Sequence, residues 1–236
     1  MLKVNFLNSK FFDSIKESGC PLCFLEIDFL EKYIGEIISE YNSDNNVISK
    51  FKKSYGFCPE HNNILIKLLK KNYHLSKSSV ARLYEKTIPL YLDSLKKIDD
   101  KDNVLKNILL KLNKKNKSHK SKNECMCCSA VKKENDNNIL TLIELLNDDY
   151  FKSEYYRSDG ICIPHFKKSL DFIEESGIVS PVKDFIINDQ KERLELLEYR
   201  LESLNDKKNF YNNEIINEEE AKSWYEAIWR FSGCKF

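Results

Sequence analysis

The chain has 236 residues, with 38 Lys+Arg against 37 Asp+Glu, eight Cys, six Gly and five Pro. That length can bury a sizeable core in one or two domains, and 42% apolar with 12% aromatic residues excludes a disordered chain. A net charge of +1 gives no global case for a nucleic-acid or acidic-substrate partner, and the scarcity of Gly and Pro excludes collagen-like and low-complexity classes.

The first nineteen residues contain no apolar core of a secretory signal, and nowhere do 18 apolar residues run together. A cytoplasmic protein with no membrane span is therefore expected, and thiols there stay reduced. Ile27, Leu30, Ile34, Ile37, Ile38 and Tyr41 share one face of a predicted helix, which the polar cluster Asn42 to Asn46 ends. Val47, Phe51 and Tyr55 mark a short helix before Gly56, and His61, Ile64, Leu65, Leu68 and Leu69 mark another. Val80, Tyr84, Tyr91, Leu95 and Ile98 predict a helix divided before Pro89, and Val104 to Leu112 predict one more. Residues 114–124 read as a Lys-rich linker.

Beyond the linker the helix, short helix, helix pattern returns at Ile139–Leu146, Tyr150–Tyr156 and Phe166–Ile173. A long helix follows through Leu194, Leu197, Leu201 and Leu204. A last one carries Ala221, Trp224, Ile228 and Phe231, and Gly233 suits its end. Trp224 and Trp229 read as core and rim residues and not as a ligand cage. No alternating strand is evident. The predicted fold is all-α, a helical bundle of two similar halves: 1–113, then the linker, then 125–236 with the C-terminal helices.

The Cys and His residues repeat. Cys20, Cys23, Cys58 and His61 in the first half answer to Cys125, Cys128, Cys162 and His165 in the second. The offset is 105 positions for the first pair and 104 for the second. Ile38 and Asn42 meet Ile143 and Asn147 at 105, and Gly56 meets Gly160 at 104. Similarity at a fixed offset marks an internal duplication. Cys127 and Cys234 are left over.

CxxC turns two sulfurs toward one point at the start of a helix, and CxxH does the same with a sulfur and a nitrogen. Two such pairs make a closed tetrahedral Cys3His site for Zn²⁺. The expected sites lie within each half: Cys20, Cys23, Cys58 and His61 in one, Cys125, Cys128, Cys162 and His165 in the other. Pro21 and Pro59 suit first helical positions, which makes Cys20 and Cys58 candidate N-caps. There the dipole favours thiolate over thiol. In the second half Met126 replaces the first proline, Pro164 sits one position later, and Cys127 offers an alternative ligand to Cys125 or Cys128. Disulfides and plain buried thiols are the rival readings, and an iron–sulfur cluster is the rival metal centre. His74 and His119 lack a paired ligand and read as surface residues.

CPLC, a long amphipathic helix and GFCPEH together resemble an uncharacterised bacterial family of helical proteins. Its members carry a CPxC…GFCxxH unit and a second Cys/His set. The stretch from Asn212 to Gly233 is also similar to that family. The resemblance implies a helical fold and a site at Cys20, Cys23, Cys58 and His61, and it brings no activity.

Three functions follow as expectations. The first is a non-enzymatic interaction or adaptor module with two structural zinc sites and a protein partner. The second is a redox or metal sensor using an iron–sulfur cluster or reactive thiolates. The third is a nucleic-acid accessory role through Lys111, Lys114, Lys115, Lys117, Lys120 and Lys122, a run without interleaved aromatics that reads more simply as solvated. No Gly-rich phosphate loop, GxSxG or HExxH supports an enzyme.

Overall fold

The duplication in the sequence is a duplication of helices. In the computed structural model, which describes residues 6–71, 74–99, 124–175, 181–207 and 215–233, the first copy is α2 (Pro21–Ser39), α3 (Asn45–Lys53) and α4 (Pro59–Lys71). The second is α7 (Met126–Leu145), α8 (Asp149–Arg157) and α9 (Ile163–Glu175). Lengths match copy for copy, at 19, 9 and 13 residues against 20, 9 and 13. Between the copies lie α5 (Lys77–Glu85) and α6 (Ile88–Asp99). α10 (Pro181–Lys207) and α11 (Glu218–Ser232) follow the second. No strand occurs among the described residues.

The punctuation of the two copies matches as well. Asn42 donates through Nδ2 to the Ile38 carbonyl at 2.9 Å, and Asn147 does the same to Ile143 at 2.9 Å. Each side chain thus satisfies a carbonyl orphaned at a helix end. Asp44 caps α3 by accepting from the backbone N–H groups of Asn46 and Val47, and Asp148 caps α8 by accepting from Phe151. Gly56 and Gly160 both hold positive φ, at 102° and 71°, ahead of the second ligand pair.

The expected division of α5 from α6 is present. A helix not read from the sequence, α1 (Phe6–Ser14), opens the chain. Its Phe11 is buried, and Phe151 packs edge-on to both Phe11 and Phe12 at 6.5 and 5.2 Å. Phe11, Ser14 and Ile15 are buried at i, i+3 and i+4, a stripe too short and too interrupted by the polar NSK and SIK segments to stand out in the sequence. The expected helix at Val104–Leu112, all of the Lys-rich linker except Glu124, His119 and Cys234 lie outside the described residues.

The chain forms two compact units, and they cut across the expected halves. One comprises residues 1–27 and 134–236, the other 28–133. The first has a core built on Leu22, Leu25, Leu142, Phe151, Tyr155 and Ile186, closed by Trp229. The second has a core built on Leu30, Ile34, Ile38, Phe51, Leu65 and Leu83. Phe51 meets Phe57 and Tyr84 edge-on at 5.0 and 5.1 Å. Both division points fall inside a long helix, α2 or α7. The reason is length. A 19-residue helix runs about 28 Å and a 9-residue helix only about 13 Å. α3 therefore returns the chain about halfway along α2, and the CxxH pair that follows stays with the later part of α2. No described helix is long and apolar enough to cross a membrane.

Candidate metal centres

Each of the four ligand pairs begins a helix. The carbonyls of Cys20, Cys58, Cys125 and Cys162 accept the first intrahelical bonds, from Phe24, Asn62, Ser129 and Phe166 at 2.8–3.1 Å. All four cysteines are N-caps, as Pro21 and Pro59 led one to expect for two of them. The sulfurs thus face free N–H groups and the positive end of a helix dipole.

The pairs assemble crosswise. Cys20 and Cys23 meet Cys162 and His165, while Cys58 and His61 meet Cys125 and Cys128. Within each quartet the ligand atoms all lie within 4.8 Å of one another, so each group could hold a metal ion. This corrects the pairing expected within each half. The eight residues are those picked out by the repeat, but each half lends its first pair to one quartet and its second pair to the other. The physical cause is the α2–α3 and α7–α8 length mismatch, which keeps a CxxH pair from reaching the CxxC of its own half. Each quartet lies wholly within one compact unit.

In the first centre His165 Nδ1 is 3.2 Å from the sulfur of Cys162, 3.4 Å from Cys23 and 3.5 Å from Cys20. Cys23 and Cys162 stand 3.7 Å apart, sulfur to sulfur. All four residues are buried. On the far side of the ring, Nε2 lies 3.6 Å from Glu26 Oε2, and that carboxylate also accepts from Asn135 at 2.9 Å. Burial opposes the charged form of Glu26, yet hydrogen bonds from His165 and Asn135 hold its carboxyl below the usual range. Burial alone would lower the pKa of His165; hydrogen bonding to the Cys162 and Cys20 sulfurs and to Glu26 instead raises it to about 11. Hydrogen bonds from Cys20 and Cys23 bring Cys162 far below the ordinary thiol range.

The loops that carry these ligands are tied together without metal. Asp159 accepts from Gly19 N–H at 2.7 Å through its carboxylate, and from buried Arg230 at 3.0 Å through its carbonyl. Gly233, with φ of 81°, ends α11 over the centre, where an added Cβ would stand 3.6 Å from the Cys23 sulfur and 3.8 Å from that of Cys162. The sequence reading used Gly233 only as a helix end. It missed Glu26 altogether, although Glu26 falls three positions after Cys23 on the same helical face.

In the second centre His61 Nδ1 is 3.0 Å from Cys58, 3.5 Å from Cys128 and 3.7 Å from Cys125, and Cys58 and Cys128 stand 3.8 Å apart. His61 and Cys125 are buried, while Cys58 and Cys128 are half-buried. Asn62 braces the loop by donating to the Phe57 carbonyl at 3.0 Å, and Tyr84 O–H donates to Asn62 at 2.8 Å. Cys127 stands outside the quartet, fully buried, and its thiol hydrogen-bonds to Cys125. That bond, chiefly, brings Cys125 down to about 3, and it pushes Cys127 far up. Burial and the Cys125 charge push Cys128 up to about 12. None of the described cysteines is in a disulfide.

Fold and site define a class: an all-helical protein with an internal duplication and two Cys/His quartets suited to metal ions. The model of a family described as a family of unknown function, DUF6062, matches residues 8–109 and again 101–227, and the chain belongs to that family. The double match agrees with the two helical copies. Searches of curated proteins and of solved structures each returned no match.

Proposed function

We propose that this protein is a zinc-stapled helical interaction module, with two closed Cys3His sites that serve structure and not turnover. One observation carries the reading. With Zn–S bonds of about 2.3 Å and Zn–N bonds of about 2.05 Å, a tetrahedron has S–S edges near 3.8 Å and S–N edges near 3.6 Å. One S–S pair in each quartet stands 3.7 or 3.8 Å apart, the S–N separations are 3.0–3.7 Å, and all ligand atoms lie within 4.8 Å of one another. Four protein ligands leave no open position for substrate, which favours a structural site over a catalytic one. Elemental analysis with an absorption spectrum, on protein purified without oxygen, tests this. About two zinc per chain and no visible band are expected. Iron with sulfide and a broad visible band would instead make the protein an iron–sulfur sensor.

A protein partner fits one face of the first unit. Trp224, Ile228 and Phe231 stand exposed at helical spacing along α11. Phe231 lines a groove of about 700 Å³ with Phe166, Ile187, Leu194 and Leu201, where Glu195, Glu198 and Glu202 outnumber Lys191, which pairs with Glu195 at 3.7 Å. An amphipathic helix from a partner, with an apolar stripe between basic flanks, matches that lining and that charge. A Leu/Lys model helix should bind the zinc-loaded protein in a salt-dependent way, and Phe231→Glu should weaken it at least tenfold. Equal binding of a Leu/Glu helix would remove the charge argument.

A further inference from the structure

The two centres share an ancestry of sequence but not an environment, and three differences point the same way. Behind His165 stands the Glu26 carboxylate, 3.6 Å from Nε2 and anchored by Asn135. Its counterpart 105 positions on is Val131, which offers no acceptor. A carboxylate behind a ligating imidazole fixes its orientation and raises its basicity, and losing such a partner typically costs 10–100-fold in metal affinity. Second, Gly233 at the end of α11 covers the sulfurs of Cys23 and Cys162. Third, the first quartet is buried at every ligand, whereas Cys58 and Cys128 of the second are half-buried. Two ligand residues of the second centre are thus partly open to solvent and none of the first is.

Resting on the metal-binding reading above, we infer that the centres have divided their roles: the Glu26-backed centre holds its metal permanently, and the Cys58–Cys128 centre is the one that exchanges. Metal leaves the second centre to a competing thiol or chelator while the first unit stays intact. Glu26 is the positioning residue that separates the two behaviours. It acts through the His165 ring and does not ligate.

The test is release of zinc from the full chain to the chromophoric chelator 4-(2-pyridylazo)resorcinol, with pulses of iodoacetamide and mass mapping of the labelled cysteines. Two phases of one zinc each are expected. Cys58, Cys125 and Cys128 should be alkylated in the fast phase, and Cys20, Cys23 and Cys162 only in the slow one. Glu26→Gln, which keeps size and can still pair with Asn135, should speed the slow phase about tenfold and leave the fast phase unchanged. Glu26→Asp should recover part of the loss. A single phase, labelling in the reverse order, or a slow phase indifferent to Glu26→Gln would overturn the inference. Protein that binds no zinc at all would instead overturn the metal reading beneath it.

Discussion

Stripping both metals with a strong chelator is expected to lower the melting temperature by at least roughly 10–20 °C and to abolish a single sharp transition. Structural zinc contributes roughly 10–16 kcal/mol of apparent binding free energy, most of it realised as folding. Even half of that matches the whole stability of an ordinary domain, and each kcal/mol moves the midpoint of a chain this size by about 2–4 °C. The effect should be large because each metal would tie segments far apart in sequence. Without it three cysteines and a His are left to satisfy one another. Circular dichroism and hydrogen exchange on the chelated protein measure this, and an unchanged melt would refute a structural role. The crosswise pairing makes a sharper forecast for one variant. Cys20→Ser should bind one zinc and lose amide protection over 162–175, while 58–71 stays protected. Pairing within each half would give the reverse.

The second large effect centres on Arg193. Its Nε donates to Asp189 at 2.9 Å, Nη1 to the Ser158 carbonyl at 2.6 Å and Nη2 to the Tyr156 carbonyl at 3.1 Å. One guanidinium therefore neutralises a carboxylate whose side chain is only 2% exposed and also caps the end of α8. Arg193→Met leaves Asp189 charged, buried and unpaired, and should cost about 3–5 kcal/mol. Removing both partners, as Asp189→Leu with Arg193→Met, should cost markedly less, because no charge is then stranded. Urea unfolding of the zinc-loaded variants measures both. A single variant within 1 kcal/mol of the parent would show the pair to be dispensable. Gly160 depends on the same contact. An added Cβ there would stand 2.5 Å from Arg193 Nε, and φ is 71°, so Gly160→Ala should destabilise through strain and displacement together.

The helical reading came from local periodicity and needed no tertiary knowledge. Ile34, Ile37 and Ile38 lie on the buried face of α2, and the clustered Asn and Asp at 42–46 supplied both the end of that helix and the cap of the next. The two tryptophans stand the other way round from the core-and-rim reading: Trp229 is buried and Trp224 exposed, because periodicity marks a helix stripe without saying which face meets the core. α1 escaped because its buried stripe is short, Phe11, Ser14 and Ile15, with a polar residue in the middle, and the place of Phe11 in the core depends on Phe151, 140 positions away.

The sequence by itself determined that the protein is all-helical, that it contains a duplication, and which eight Cys and His residues belong together as a set. Each of these is written in local spacing: 3.6-residue stripes, CxxC and CxxH turns, and a constant offset. Only the tertiary structure decided which pair meets which, that Cys127 stands behind Cys125 and not in the quartet, and that Glu26 backs one histidine but not the other. Partner choice is a matter of where a helix of about 28 Å sets down its two ends. A spacing motif records only what lies within one turn, so identical motifs are compatible with pairing inside a half or across halves. The rigidity of α2 and α7 against the shortness of α3 and α8 selects the second.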